Sequence, residues 1–255
     1  AMLLRLPSGR SLLIDAAGAP GRFDIGDRIL VPALLARGAL ALDTVVLTHP
    51  DADHIGGAAR VIDDLHPRRV IEGVAPAAHA ERHALVSRAL ARGIAVESVR
   101  RGSDLLIDGV LLRVLHPSPP DWERQKTRND DSVVIEVVFG SVSLVLTGDA
   151  GEPVEAGIAA QLAPARLRIL KVGHHGSRTS TSERFLEAVG ASAAVISAGR
   201  GNFYGHPAPE VLRRLGRARV EVFRTDRDGQ IDIVTDGKVT EIRTWSGRRW
   251  AVAAR

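Results

Sequence analysis

The segment from Thr48 to Gly57 constrains the fold of this chain more than any other stretch. It reads THPDADHIGG and places two imidazoles and two carboxylates within six residues, His49 to His54. An apolar run, Thr44 to Leu47, precedes it. Groups that are so costly to desolvate gather at one point mainly where a metal ion holds them. We therefore predict a metal-binding loop between a buried strand and a helix.

The amino-acid composition predicts the type of core and excludes several kinds of functional site. Hydrophobic residues make up 45% of the 255 residues but aromatic residues only 4%, which predicts a core of Ala, Val, Leu and Ile. The lack of cysteine excludes disulfides, thiolate nucleophiles and Cys-type zinc sites. No apolar run reaches the roughly 18 residues that a bilayer span needs. We therefore expect a soluble domain with no membrane contact of its own.

Short apolar runs alternate with helix-like segments along the whole chain. This mixture predicts one α/β domain, residues 1–255, with a two-sheet core. Ser182 is expected to cap a helix that ends at Gly190. The predicted strands are 2–6, 11–15, 44–47, 70–72, 95–99, 105–107, 111–115, 133–139, 143–147, 167–171, 193–197, 220–224, 231–234 and 239–245, and the other predicted helices are 32–37, 55–65, 77–92, 152–162 and 209–215.

Four polar segments lie beside predicted strands, so a sheet could aim them at one cleft. Two divalent cations about 3.5–4 Å apart need a bridging carboxylate with imidazole and carboxylate ligands around it. Asp149, directly after a strand, suits the bridging position. The four segments are His49 to His54, Asn129 to Ser132, Thr147 to Asp149, and Gly173 to Ser177.

These segments resemble, in order, the motifs of the metallo-β-lactamase superfamily. HPDADHIGG is similar to its H-x-H-x-D-H signature, IDAAG at Ile14 to its early strand-end element, Gly148-Asp149 to its bridging aspartate, and HHGS at His174 to its last histidine motif. More narrowly, the sequence resembles the C-terminal metallo-β-lactamase-like domain of the ComEC DNA-uptake channel over nearly its whole length. That resemblance rests on the runs HPDADHIGG, NDDSVV, LTGDA, KVGHHGSRTS, ISAGRGNFYGHP and FRTDRDGQI.

The resemblance implies a four-layer αββα sandwich and a metal-dependent hydrolase, most specifically a DNA nuclease or phosphodiesterase in natural transformation. It implies DNA as partner, as single strands or strand ends, together with the rest of a membrane channel protein. The domain would then be attached to the cytoplasmic membrane on its extracytoplasmic side. The family usually has a further strand before the Leu3 region, so the first sheet could lack its first strand.

The resemblance also assigns roles to the polar residues. His49 and Asp51 would bind one metal ion, Asp53 and His54 the second, and Asp149 would bridge them. One of His174 and His175 would complete the second metal and the other would face the scissile phosphate; the sequence leaves open which does which. Additional candidates for ligation or for a supporting hydrogen bond are Asp15, Asn129 and Asp130.

Two departures from the broad superfamily pattern change the expected metal. Asp51 stands where the second histidine of the signature is usual, and Asn129 or Asp130 stands roughly where a mid-chain histidine ligand is usual. Both departures agree with the ComEC-type pattern. Oxygen ligands in place of imidazoles favour Mn²⁺ or Mg²⁺ relative to Zn²⁺. We therefore expect two divalent ions, with Mn²⁺ favoured and Zn²⁺ or Mg²⁺ as alternatives.

Catalytic roles follow from the same assignment. Asp53 could orient the attacking hydroxide, and His174, His175 or His206 could stabilise the transition state or protonate the leaving oxygen. His206 could instead cap the helix that follows it. The residues expected to contact substrate are Ser177, Thr179 and Ser180, which could hold a phosphate, and Asn202 and Tyr204, of which Tyr204 could stack on a base.

Rival interpretations remain open at this stage. The same fold could serve a small-ester or thioester hydrolase, or an inactive DNA-binding domain. The paired arginines, such as Arg68-Arg69 and Arg213-Arg214, suit phosphate partners but equally fit a genome that prefers arginine. His79 and His83 stand four apart and could share a metal, although a solvated helix face is the simpler interpretation.

Overall fold

The computed structural model describes residues 1–19, 23–74, 78–118 and 128–254. The chain forms two compact units. Unit 1 comprises Ala1–Arg101 and Pro117–Val133, and unit 2 comprises Gly102–His116 and Val134–Arg255. Each unit has its own sheet and its own buried cluster of aliphatic side chains.

Unit 1 is built on a five-stranded sheet in the order β1-β2-β3-β4-β5. β1 and β2 form the antiparallel hairpin that the turn at residues 7–9 predicts, and the remaining neighbours pair in parallel. Both β2 and β3 are buried along their whole length, as strands covered on two faces require. The strands are β1 (Met2–Arg5), β2 (Ser11–Ile14), β3 (Thr44–Leu47), β4 (Arg69–Glu72) and β5 (Ala95–Ser98).

The helices of unit 1 cover this sheet with aliphatic side chains. Val61, Ile62 and Leu65 of α3 lie in one buried cluster with Val45 of β3 and Val70 of β4. Its helical elements are a π-helical turn at Gly26–Leu30, α1 (Val31–Ala36), α2 (Ala52–Ile55), α3 (Ala58–Leu65) and α4 (Ala80–Ala91).

The predicted helix over 55–65 is wrong at its start, because the chain forms α2, a break at Gly56-Gly57, and then α3. The break brings the backbone against the segment after β2. A Cβ at Gly57 would lie 2.3 Å from the carbonyl oxygen of Ala16, so a larger residue would clash there. The glycine pair thus serves close packing, which a helical pattern does not reveal.

Helix α4 begins at Ala80, later than predicted, and residue 77 lies outside the described residues. His79 is its N-cap, and the ring Nδ1 accepts a hydrogen bond from the backbone N–H of Arg82 at 3.2 Å. This hydrogen bond gives His79 a structural role at the helix start.

Unit 2 contains a seven-stranded sheet in the order β12-β11-β10-β9-β8-β7-β6 and a three-stranded sheet, β13-β14-β15. β9 to β12 are parallel neighbours, whereas β6 to β9 pair antiparallel. β15 was not predicted, because its exposed and half-buried residues give no strong apolar run. The strands are β6 (Leu105–Ile107), β7 (Val110–His116), β8 (Val134–Phe139), β9 (Val142–Leu146), β10 (Leu167–Lys171), β11 (Ala193–Ile196), β12 (Glu221–Arg224), β13 (Ile231–Thr235), β14 (Val239–Thr244) and β15 (Arg249–Ala253).

Two helix starts in unit 2 test the predicted caps. Ser182 accepts a hydrogen bond from the N–H of Phe185 at the start of α6, so the predicted cap is confirmed. The N-cap of α7 is Ala208, so the alternative that His206 caps this helix is wrong. The helices are α5 (Glu152–Ile158, followed by a 3₁₀ turn at Ala159–Gln161, where one longer helix was predicted), α6 (Glu183–Val189), α7 (Pro209–Arg217) and α8 (Thr225–Asp228).

Strand direction positions the polar segments within each unit. In unit 1, Asp15 and Thr48 follow the carboxyl ends of β2 and β3, which are parallel neighbours. In unit 2, Asp149 and His174 follow β9 and β10, which are also parallel neighbours. Carboxyl ends of adjacent parallel strands lie side by side and are the usual place for binding residues in α/β proteins. Among the described residues, no helix is long and apolar enough to cross a membrane.

Candidate functional site

In unit 1, Asp15 and Thr48 orient the ring of His54. The carboxylate of Asp15 lies 2.8 Å from Nδ1 of His54, accepts the backbone N–H of Thr48 at 2.8 Å, and accepts the Thr48 hydroxyl at 3.1 Å. A carboxylate can only accept, so we assign the imidazole proton to Nδ1 and the lone pair to Nε2. This arrangement prepares His54 to bind a metal ion through Nε2.

Asp15 stays ionised although it is buried. Burial alone would raise the pKa of Asp15, but attraction to His54, the hydrogen bond from that ring and the N–H of Thr48 together hold it below the ordinary value. Its backbone φ of 58° lies in the left-handed region, which Asp and Asn tolerate better than other side-chain-bearing residues. The structure therefore places Asp15 behind a histidine, which is the supporting role among the two that the sequence left open.

His49 is buried in the same loop and is oriented by two hydroxyls. Its Nδ1 lies 3.1 Å from Oγ1 of Thr48 and 3.3 Å from Oγ of Ser132. Its Nε2 is buried and has no hydrogen-bond partner in the described part of the chain; a carboxylate oxygen of Asp51 lies 3.6 Å away. A buried ring nitrogen without a partner carries a desolvation cost that a bound cation would remove.

The two remaining carboxylates of this loop are more exposed than its histidines. The ring of His49, 3.6 Å from the carboxylate, lowers the pKa of Asp51, and His54 acts in the same direction, against burial and the nearby charge of Asp53. Oδ2 of Asp53 lies 3.7 Å from Nε2 of His54. Within unit 1, Asp53 and His54 thus offer ligand atoms close enough to share one metal ion.

Asn129 and Asp130 lie in a 3₁₀ turn that ends at Asp131. Both are half-buried, whereas Asp131 is buried and its carboxylate accepts the backbone N–H of Arg128. The backbone N–H of Val133, just past the turn, donates to the carbonyl of Thr48. The turn is thereby attached to the His49 loop, and the role of Asn129 and Asp130 as ligands stays a prediction.

In unit 2, both histidines of the HHGS motif lie beside Asp149. Nε2 of His174 and of His175 are 3.8 Å and 3.6 Å from Oδ2 of Asp149. Both histidines adopt left-handed backbone conformations, with φ of 47° and 54°. Strain of this kind at two consecutive non-glycine residues persists only where the surroundings hold it in place.

The two rings differ in how they are held. Nδ1 of His175 lies 2.7 Å from the carbonyl oxygen of Ser197, at the end of the neighbouring strand β11. A carbonyl can only accept, so this hydrogen bond places the proton on Nδ1 and the lone pair on Nε2, which faces Asp149. The ring of His174 instead packs edge-on against His206, with centroids 5.7 Å apart. Of the two, His175 has the orientation of a metal ligand.

The loop after the histidine pair is braced from inside the unit. The carboxylate of Glu155 accepts the backbone N–H groups of Thr181 and Ser182, and burial raises its pKa in spite of those bonds. The guanidinium of Arg214 donates to the carbonyls of Ser180 and Thr181 at 3.1 and 3.3 Å. Residues on two helices therefore fix this loop, and nothing in the local sequence indicates either of them.

This brace affects the predicted phosphate contacts. The buried Ser180 hydroxyl donates to the carbonyls of Gly173 and Ser177, and Ser177 is itself buried with its hydroxyl 3.0 Å from that of Thr179. Thr179 and its neighbour Arg178 are exposed. The substrate roles of all three hydroxyls stay predictions, but the exposed face of the loop belongs to Arg178 and Thr179.

His206 approaches the histidine pair through a close backbone contact. A Cβ at Gly176 would lie 2.6 Å from that of Pro207, so only glycine admits this approach. Burial lowers the pKa of His206, and the neighbouring rings of His174 and His175 lower it further, against the opposing pull of Asp149. Its Nδ1 is buried without a hydrogen-bond partner in the described part of the chain. The pKa of His206 therefore lies below the ordinary value of an imidazole.

Several positions that shape the site escaped the sequence analysis. Thr48 was quoted within its motif, but its hydrogen bonds with Asp15, His49 and His54 were not foreseen. A hydroxyl directly after a buried strand and directly before a histidine is a signal that could have been used. The others carry no local signal: Ser132, Ser197, Glu155 and Arg214.

The donor chemistry fits divalent cations in both units. In unit 1, the lone pair assigned to His54 Nε2 and the buried His49 Nε2 accompany the carboxylates of Asp51 and Asp53. In unit 2, Asp149 accompanies two imidazoles. Mixed imidazole and carboxylate donors with their far ring nitrogens hydrogen-bonded are typical of metal ligands.

Comparison with known sequences identifies the family. A family model described as "Metallo-beta-lactamase superfamily" matches residues 1–200. The chain is 35% identical over 209 residues to "ComE operon protein 3" of Bacillus subtilis (strain 168), which covers 82% of this chain and 26% of the relative. It is 31% identical over 230 residues to "Competence protein ComA" of Neisseria gonorrhoeae, with 88% and 30% covered. The chain thus spans between a quarter and a third of these relatives' length, and the predicted resemblance to competence proteins is confirmed.

Solved structures support the same fold. The "metallo-beta-lactamase fold protein YhfI" from Bacillus subtilis aligns with a TM-score of 0.54 at 15% identity, over 95% of this chain and 87% of that one. At that identity the likeness shows the fold alone. Together with the family match, it confirms the predicted fold class, an α/β metallo-β-lactamase-like fold. The chain belongs to the metallo-beta-lactamase superfamily.

Proposed function

We propose that this chain is a metal-dependent DNA nuclease or phosphodiesterase that acts in DNA uptake. The superfamily typically contains metal-dependent hydrolases, and two relatives are named for a com operon or for competence. The observation that carries the proposal is the Asp15–His54 pair, because a buried carboxylate that fixes an imidazole tautomer is what a histidine ligand needs. The arrangement is directed at metal binding rather than at stability alone.

The metal ligands are assigned by the resemblance and refined by the geometry of each unit. By the resemblance, His49 and Asp51 would hold one cation and Asp53 and His54 the other, and Asp149 would be a further ligand. His175 is the ligand of the histidine pair, because the carbonyl of Ser197 orients its Nε2 toward Asp149. His174 is then the residue that faces substrate. Mn²⁺ is the favoured ion because Asp51 adds an oxygen donor where imidazole is usual, and Zn²⁺ and Mg²⁺ are the alternatives.

Bound divalent cations would lower the pKa of a water nucleophile and offset negative charge on the phosphate. The residues of the chain then bind and orient. Asp53 holds the nucleophile in line with phosphorus, and His174 donates a hydrogen bond to a phosphate oxygen. Burial and the histidine neighbours of His206 lower its pKa, which favours a hydrogen-bonding role over proton donation. Thr179 and Arg178 supply contacts from the exposed face of their loop.

The longer relatives suggest the setting. We place this chain as one part of a competence protein, with DNA as its substrate and the membrane channel as its covalent neighbour. Its position would be the extracytoplasmic side of the cytoplasmic membrane, where incoming DNA arrives.

The test combines metal analysis with cleavage assays on linear single- and double-stranded DNA. Metal-stripped protein is expected to regain cleavage with Mn²⁺. Asp53→Ala should lose bound metal and lower cleavage by more than about a hundredfold, because even residues behind metal ligands cost about 10–100-fold when removed. Asp64→Ala is the matched control, since that carboxylate pairs only with Arg60 on the surface of α3 among the described ion pairs. Cleavage by Asp53→Ala equal to that of the control would contradict the proposal.

A further inference from the structure

The loop from Gly199 to His206 is closed by side-chain hydrogen bonds and presents two aromatic rings to solvent. The amide of Asn202 donates to the carbonyls of Gly199 and His206 and accepts the N–H of His206 at 2.9 Å. Phe203 and Tyr204 follow directly, with relative exposures of 105% and 79%. The amide of Asn202 thus holds the loop closed while both aromatic side chains point outward.

Few aromatic side chains in the described residues are this exposed; Trp245 is another, at 85%, and Phe23 is 56% exposed. The chain has five phenylalanines and one tyrosine, and other phenylalanines such as Phe185 and Phe223 are buried core residues. Aromatic rings lose much more free energy by staying in water than small side chains do. Two adjacent rings that are displayed on a braced loop therefore indicate a ligand with a flat, apolar face.

The rings connect with the candidate site inside unit 2. The ring of Tyr204 stacks on His206 with centroids 5.9 Å apart and an interplanar angle of 19°. His206 in turn packs edge-on against His174 at 5.7 Å. A row of rings thus leads from His174 to the exposed face of Tyr204, so a base stacked on Tyr204 would place its attached phosphate near the histidines.

Positive charge accompanies the rings. Arg178 and Arg200 are both exposed, in the loops that contain the histidine pair and the aromatic pair. Among the described residues neither guanidinium forms an ion pair with a carboxylate, and Arg200 donates only to the carbonyl of Asp226. Stacking rings interleaved with unneutralised arginines are the combination that binds single-stranded nucleic acid.

We propose that Phe203 and Tyr204 form a stacking platform for unpaired nucleobases, so that the preferred substrate is single-stranded DNA or a frayed end. Bases within a duplex already stack on their neighbours and do not offer a free face. This inference rests on the proposed function for its link to cleavage, but base stacking itself is measurable without cleavage.

Fluorescence anisotropy measures the binding of the full chain to labelled oligonucleotides, with a chelator present to prevent cleavage. The oligonucleotides are about 20 nucleotides long, because one binding site of this kind covers fewer nucleotides than that. The probes are oligothymidylate, the same length of abasic sugar–phosphate, and a blunt duplex. Phe203→Ala and Tyr204→Ala should each weaken oligothymidylate binding by about tenfold, as loss of one base–aromatic stack does. Phe203→Trp and Tyr204→Phe should keep it. Trp245→Ala is the matched control, because Trp245 is also highly exposed, at 85%.

In the same alanine variants, the affinity for the abasic probe and for the duplex should fall by less than about twofold, since these probes offer charge without free base faces. Equal losses on all three probes, or an unchanged affinity of Phe203→Ala for oligothymidylate, would overturn the inference. The inference would also be overturned if the alanine variants lost binding only to phosphatidylglycerol vesicles, because that result would assign the rings to lipid. If the protein cleaves DNA but the alanine variants bind oligothymidylate unchanged, only this inference fails. If base binding depends on the rings but Mn²⁺ supports no cleavage, only the proposed function fails.

Discussion

The candidate ligands of unit 1 and those of unit 2 are positioned by different kinds of interaction. In unit 1, His49 and His54 are buried and are oriented by side chains that lie beside them, Asp15 and Thr48 above all. In unit 2, the side chains of His174 and His175 are 27% exposed, stand on strained backbone, and are oriented by a carbonyl and by packing. The first group is organised by charge at close range and the second by the shape of its loop.

This difference predicts where each group is vulnerable. The loop of unit 1 should fail when a local carboxylate or hydroxyl is removed. The loop of unit 2 should fail when its distant braces, Glu155 and Arg214, are removed. We expect the braces on residues 180–182 to help hold the left-handed backbone at His174 and His175 in place. The conformation of the loop after the histidine pair thus depends on α5 and α7 as much as on its own sequence.

The largest expected effect comes from Glu155→Ala. The substitution leaves the backbone N–H groups of Thr181 and Ser182 buried without their acceptor, and we expect a loss of about 3 kcal/mol in the free energy of unfolding. Guanidinium titration of metal-free protein measures it. Mn²⁺ affinity should fall as well, since the loop no longer holds His175.

Glu152→Ala serves as the control, because Glu152 lies in the first turn of the same helix but is exposed. It should cost less than about 1 kcal/mol through the helix dipole. If both variants lose the same stability, the brace assigned to Glu155 does not exist.

The same contrast explains what the sequence could reveal. The candidate ligands of unit 1 are close together in sequence, so the density of His49, Asp51, Asp53 and His54 in one loop was visible. β10 was also predicted at its observed bounds, Leu167–Lys171. The braces were not visible. Glu155 lies 26 positions before Thr181, and only the tertiary fold brings its carboxylate to that N–H.

Helix boundaries failed for a related reason. Gly56-Gly57 looks like the beginning of a long helix, whereas the fold uses both glycines to let residues 16–18 approach. Likewise Asn202 and Ser180 look like free polar groups in a loop, but the fold engages their side chains with carbonyls of the chain. Residue type predicts which chemistry is present, and packing decides which polar atoms remain available.

A smaller effect is expected in unit 1 from Asp15→Asn. Asparagine tolerates the left-handed backbone at this position but cannot supply the charge that faces His54. We expect a loss of about 2 kcal/mol near pH 7 in metal-free protein, as for hydrogen bonds to a charged group. Urea titration measures the loss, and Asp64→Asn, on the surface of α3, controls for charge removal.

The pH dependence sharpens this prediction. The folded-state pKa of Asp15 lies below its ordinary value of 3.8, so its contribution is complete above pH 3.8 and is lost as the pH falls through the folded-state pKa. The difference between wild type and Asp15→Asn should therefore shrink only below pH 3.8. A difference that is constant down to that range and beyond would show that the charge of Asp15 does not stabilise the loop.

The smallest effect is expected from Arg214→Met, which keeps most of the apolar stem and removes the donors to Ser180 and Thr181. The carbonyls can turn partly to water, so we expect a loss of only about 1 kcal/mol in unfolding free energy. The affinity for Mn²⁺ should fall nonetheless, because the loosened loop would hold the left-handed backbone of His174 and His175 less firmly. Arg213→Met, whose guanidinium pairs only with Glu210 on the surface among the described ion pairs, should change neither quantity. If Arg214→Met loses stability but keeps its Mn²⁺ affinity, the brace supports the fold of unit 2 but not its candidate ligands. The two groups of candidate ligands would then differ only in how deeply they are buried.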